Sequence, residues 1–206
     1  MMIKNFDGNI FIDKLSKVDE GVKIFPNVYI IGSCEIKKGT KIYPNSILID
    51  SKVGENCEIK SSYIENSEIK HNVKIGPFAH IRPNSIINSG CKIGNFVEIK
   101  NSVIGANTKA SHLAYIGDCK IGENCNIGCG VIFANYDGRT KHTTIVEDNC
   151  FIGSNSNIIA PIVIAKNTYI CAGTTLTKNT NEGDFVIARS RETIKNGQAY
   201  KYFGDK

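Results

Sequence analysis

The residues of this chain that could do chemistry are four histidines, a few cations and eight cysteines. Histidine exchanges a proton near neutral pH without special tuning, so His71, His80, His112 and His142 each qualify as a general base by type alone. Arg82, Lys100, Lys141 and Arg189 could each meet a phosphate, the arginines as a planar fork and the lysines as point charges. Taken singly, each is as readily a solvated corner charge. Asn135 and Tyr136 open an NYDG stretch whose composition favours a turn. No C-x-x-C pair and no H-x4-H pair occurs, so neither a disulfide framework nor a zinc site is expected.

Composition narrows the partners. A formal charge of +5 over 206 residues is mild, and no dense run of Lys and Arg tracks a nucleic-acid backbone, so an anionic small molecule fits better than a polynucleotide. An apolar fraction of 41% and a charged fraction of 22% describe a globular chain of one substantial domain. The longest apolar stretch, Ile158 to Ala165, is broken by Pro161 and falls far short of the roughly 20 residues of a membrane span. Asp7 and Asp13 interrupt the N-terminal apolar residues, so no secretory signal is read there and a cytoplasmic location is expected.

The elements that must position these residues are set by a repeat. Ile, Leu or Val recurs at nearly every sixth position from Ile24 through Ile30, Ile36 and Ile42 to Ile164, Ile170 and Leu176. Neither a helix nor a lone strand has this period, whereas a triangular coil with three short faces does. The residue two places before each repeat position is small almost throughout, Ile162 being the one larger than Val, and six of the eight cysteines stand on this second ladder. Those six read as packing residues. The pattern predicts an all-β parallel β-helix of eight to nine coils over residues 21–176, a lead-in over 1–20 and a tail over 177–206. Between Phe133 and Val146 the spacing is too long by about seven residues, so a loop within 134–144 is expected to be extruded from the prism.

The stretches IGPFAHIRPNS, IGNFVEIK, ASHLAYIGD, IGENCNIGCG, NYDGRTKHTT, FIGSNSNIIAPI and CAGTTLTK, in that order, resemble the acetyltransferase half of the bacterial bifunctional enzymes that acetylate glucosamine 1-phosphate and uridylate the product. This hexapeptide-repeat resemblance implies a left-handed β-helix, acetyl-CoA as acyl donor and a homotrimer with sites between subunits. It places the proton acceptor at His112. It places acceptor-sugar contacts at Arg82, Lys100, Tyr115, Asn126, Asn135 and Lys141, and coenzyme contacts at Cys129, Asn135, Tyr136, Ser154, Ala172 and Arg189. Cys129 stands where the family usually has Ala. No counterpart of the family's Gly-rich nucleotide loop is found, so uridylylation is not expected of this chain, and whether a separate uridyltransferase works alongside it is left open by the sequence. Another amino sugar as acceptor, or a non-catalytic scaffold prism, are the alternatives that the residues leave open.

Overall fold

The structure is a computed structural model that describes residues 9–203, so the first eight residues of the lead-in and the last three of the tail lie outside it. The chain winds into a triangular parallel β-helix. A first face of ten strands runs from Ile10–Ile12 to Thr175–Leu176, a second face of nine from Lys17–Val18 to Ile162–Ile164, and a third of ten from Lys23–Ile24 to Phe185–Val186. At a strand spacing of about 4.8 Å, the ten-stranded faces are roughly 43 Å tall.

Register follows the six-residue period. On the first face Ile64, Ile81, Ile99 and Ile116 stack in adjacent strands, and every repeat residue from Ile30 onward is buried. Each such Ile, Leu, Val or Phe contributes about 1.5–3 kcal/mol on leaving water. The small-residue ladder does more than save space. Thr108 Oγ1 donates to the Gly122 carbonyl at 2.8 Å and accepts from the Cys125 amide at 2.9 Å, and Thr40 makes the same bridge between Gly54 and Cys57. A hydroxyl on this rung therefore closes backbone groups that a coil corner would leave unpaired.

The prism is longer than its sequence ladder. It has about ten coils rather than eight to nine, because Ile12 and Val18 carry the six-residue spacing back into residues 10–18 and Val186 carries it past Leu176. The downstream coil is hidden in the sequence because it has no second-face strand. Thr180 stands there instead, its amide donating to the Val163 carbonyl and its Oγ1 accepting from the Ala165 amide. Beyond Val186 the tail is exposed and ends in the short helix Tyr200–Phe203, with Ile194 82% and Tyr202 86% exposed.

Two corners matter for the site. The leading corner joins the third face to the first, and the trailing corner joins the first to the second. Most trailing-corner residues with positive φ are Asn or Asp, which tolerate the left-handed region: Asp50, Asn66, Asn84, Asn101 and Asp118. The leading corner departs from this grammar over three coils, where Phe78, Phe96 and Leu113 hold φ values of 58°, 57° and 48° with exposed side chains.

Candidate active site

His112 ends the strand Lys109–His112 at the leading corner, and its side chain is exposed. Its Nδ1 lies 2.6 Å from Asn95 Oδ1, one coil below. An amide carbonyl can only accept, so this contact puts the ring proton on Nδ1 and leaves the Nε2 lone pair facing solvent. That is the tautomer a general base requires. Cys129, Ser154 and Ala172 each immediately precede the positive-φ residue of a later coil at the same corner, namely Gly130, Asn155 and Gly173. The Asn155 amide donates to the Cys129 carbonyl and the Gly173 amide to that of Ser154, so the three stand one above another. Arg189 lies against the top of this track, its Nη1 donating to the Ala172 carbonyl at 2.8 Å. Asn126 lies on the third face beside Lys109.

A second group gathers at the other edge of the first face. Lys100 ends the strand Glu98–Lys100, and its Nζ lies 4.0 Å from Asp118 Oδ2. The ammonium of Lys141 beside it holds Lys100 below the ordinary lysine value, with partial burial adding to the effect. Arg82 joins the group from one coil below, its Nη1 donating to Glu98 Oε1 at 2.8 Å. Burial pushes the Asp118 carboxyl up, but hydrogen bonds from Asn101 and Asn135 and the charges of Lys100 and Lys141 outweigh it and hold the group below the usual carboxylate range. Arg82 thus faces Glu98 and Glu65, while Lys100 and Lys141 share the one carboxylate of Asp118, a local excess of positive charge at the two lysines suited to a phosphate.

The extruded loop supplies Asn135, Tyr136 and Lys141. It leaves the trailing corner after the strand Ile132–Ala134 and returns at Thr144–Val146, with Tyr136 and Lys141 paired across its base. Asp137 accepts from the amides of Arg139 and Thr140 at 2.8 Å each and from His142 Nε2 at 2.7 Å, which fixes the turn. Asn135 is buried, and its Nδ2 donates to Asp118 Oδ2. Tyr115 leans toward the same place. A Cβ on Gly117 would sit 2.5 Å from the Tyr115 hydroxyl and 2.8 Å from Asn135 Nδ2, so both groups converge over the space that glycine leaves open.

Within one chain the residues singled out in the sequence therefore form two groups. Arg82, Lys100, Tyr115, Asn135 and Lys141 meet at the trailing edge of the first face. His112, Cys129, Ser154, Ala172 and Arg189 line the leading corner, and Asn126 belongs to the third face beyond it. Residues 113–118 separate the two edges, a width on the order of 15 Å for extended chain. Tyr136, 60% exposed, stands at the base of the loop opposite Lys141. Asn95, Glu98, Asn101 and Asp118 complete the constellation and were not singled out in the sequence.

The fold and this arrangement define a class, the hexapeptide-repeat transferases, and the chain belongs to it: residues 143–178 match the bacterial transferase hexapeptide (six repeats) family and residues 63–137 match the GMPPB C-terminal domain. The left-handed winding implied by the motifs accords with this membership. More narrowly, the chain is 57% identical to the bifunctional protein GlmU of Caldicellulosiruptor saccharolyticus, over 91% of this chain and 40% of that protein. It is 51% identical to GlmU of Thermodesulfovibrio yellowstonii, over 93% and 43%, and 47% identical to GlmU of Clostridioides difficile, over 86% and 39%. The chain spans about two fifths of the length of the curated relatives it matches, corresponding to their C-terminal half.

Proposed function

We propose that this chain is an acetyl-CoA-dependent N-acetyltransferase that converts an amino sugar phosphate, in the first place glucosamine 1-phosphate, into its N-acetyl product. The observation that carries the reading is that Lys100 and Lys141 stand side by side against the single carboxylate of Asp118, with Arg82 one coil below, which leaves positive charge for an anion to neutralise. Motif order and the GlmU relatives supply the amino sugar and the acyl donor.

In this reading Arg82, Lys100 and Lys141 hold the phosphate, and Tyr115, Asn126 and Asn135 orient the sugar. Cys129, Ser154, Ala172 and Arg189, with Tyr136 on the loop, hold the coenzyme along the leading corner. His112 Nε2 takes the proton from the amine as its nitrogen attacks the thioester carbonyl, and the thiolate of coenzyme A departs. No covalent enzyme intermediate is required, and Cys129 serves as a contact rather than a nucleophile.

The two groups lie at opposite edges of one face, so a complete site needs the trailing edge of one copy beside the leading corner of another. Three copies around an axis bring every such pair together, and we include this homotrimer in the proposal. The exposed Phe78, Phe96 and Leu113 at the leading corner and the exposed Ile194, Tyr200, Tyr202 and Phe203 of the otherwise polar tail support it, because each leaves apolar surface to be covered.

The test is thiol release from acetyl-CoA over a panel of amino sugars, their 1-phosphates and nucleotide-linked forms. Glucosamine 1-phosphate should be the best acceptor by kcat/KM, with the unphosphorylated sugar at least 100-fold poorer. A preference for a nucleotide-linked sugar would replace the acceptor, and no turnover with any would leave a scaffold prism.

A further inference from the structure

The trailing corner carries a ladder of amide side chains, Asn66, Asn84 and Asn101 in successive coils, and then a carboxylate, Asp118, with Asn135 above it. Asp118 holds φ at 53°, is over nine-tenths buried and lies between two amides that both donate to it, Asn101 Nδ2 to Oδ1 at 2.5 Å and Asn135 Nδ2 to Oδ2. An ionised carboxylate accepts only, so it decides which way each neighbouring amide points. Asn135 must turn its NH2 toward Asp118, which leaves its Oδ1 as the free end of the amide. An Asn at 118 would present its own mixture of donor and acceptor and fix nothing.

We infer that Asp118 is a positioning residue for acetyl transfer, acting through Asn135: it locks that amide with its carbonyl presented to the acceptor's amine. This rests on the acetyltransferase reading above. The Asn135 carbonyl accepts one N–H of the amine and so aims the nitrogen lone pair, while the Tyr115 hydroxyl packed over Gly117 closes the other side. The same carboxylate faces Lys100 and Lys141. If it served only to set the charge of the phosphate site, removing it would change acceptor binding. If it positions Asn135, removing it lowers turnover in the bound complex, and the two roles separate in the kinetics.

The experiment compares native protein, Asp118→Asn, Asn135→Ala and the double variant, measuring kcat and KM for glucosamine 1-phosphate, the Kd of coenzyme A and the melting temperature. Asn is the substitution the corner itself recommends, since Asn66, Asn84 and Asn101 occupy the same place. Asp118→Asn should lower kcat on the order of 30-fold, leave the acceptor KM unchanged or lower, and leave coenzyme A affinity unchanged. On the Asn135→Ala background the same change should cost less than twofold, because the residue it acts through is gone. Asp118→Gly, which copies Gly32 at the first such corner, should repeat the kcat loss if Asp118→Asn folds poorly. The inference is overturned if kcat stays within twofold of native, if the loss appears as a raised acceptor KM, if the two substitutions add independently, or if both position-118 variants lose the fold. Native protein inactive with every amino sugar phosphate would sink the functional reading and this inference together, whereas active native protein with an indifferent Asp118→Asn sinks this inference alone.

Discussion

At the scale of single residues, the site depends on side chains whose chemistry is set by the coil below. His112 is informative only with Asn95 beneath it, since the 2.6 Å contact selects the tautomer. His112→Ala should therefore lower kcat on the order of 100-fold with coenzyme A affinity intact, and Asn95→Ala should cost on the order of 10-fold by releasing the ring. No loss from His112→Ala in a properly folded protein would remove the histidine from the mechanism, and no loss from Asn95→Ala would remove the asparagine's part in orienting it. Lys100 gives a pH prediction with a definite sign. Lys141 holds its folded value below that of a free lysine, so the free protein loses this charge at a lower pH than the usual ~10.4, and an anion that needs the charge binds more weakly as pH rises through that point. Inhibition by inorganic phosphate should fade on the alkaline side, and Lys141→Ala should move the fading to higher pH. The motif ASHLAYIGD showed His112 and Tyr115, but Asn95 and Asp118 became visible only through stacking. Asn95 to His112, Asn101 to Asp118 and Asp118 to Asn135 are each 17 residues apart, one coil, so that interval names the partners of His112 and Asn135, while Arg82 to Glu98 at 16 residues and Lys100 to Asp118 at 18 fall on either side of it.

At the scale of elements, the ladder was legible because a strict period leaves no competing structure, and the structure keeps its register through every coil. Its ends were not: Ile12 follows Ile10 rather than a small residue and Val186 stands off the regular interval, while Val18, with Ser16 two places before it and Ile24 six after, continued the ladder and is confirmed by its pairing with a neighbouring strand. The extruded loop was legible as surplus length, while its rigidity, from Asp137 and His142, was not. The cysteines test the packing directly. Cys34, Cys57, Cys91, Cys119, Cys125 and Cys150 are all buried on the small ladder, and burial pushes Cys91 up to about 11 and also raises Cys34, Cys57 and Cys119. A buried thiol with little thiolate is a poor nucleophile. Under native conditions a maleimide should modify Cys129, which is exposed, within minutes and leave these six intact for hours, and coenzyme A should protect Cys129. Modification of Cys57 or Cys91 at the rate of Cys129 would contradict the rigid coil.

At the scale of the whole molecule, the proposed function asks one prism to supply two groups of site residues that lie at opposite edges of a face. Folding places Lys100 and Asn135 at one edge of a face and His112 at the other, and a stiff parallel β-helix offers no hinge to bring them together. Association is the remaining route, and it makes a quantitative prediction. His112→Ala and Lys100→Ala should each be nearly inactive alone, since every site in either trimer lacks one essential group. In trimers assembled at random from equal amounts of the two, three quarters of the molecules are mixed, and each mixed trimer has one junction where a native His112 meets a native Lys100. Refolding the two together should therefore recover about a quarter of native activity, the value fixed by three-fold cyclic symmetry with one half-site donated in each direction. Recovery should rise with the time allowed for subunit exchange and should vanish if the two proteins are mixed without exchange. No recovery from a properly mixed trimer would mean that His112 and Lys100 serve the same site within one chain, and the geometry of the first face would then have to be bridged by the substrate itself.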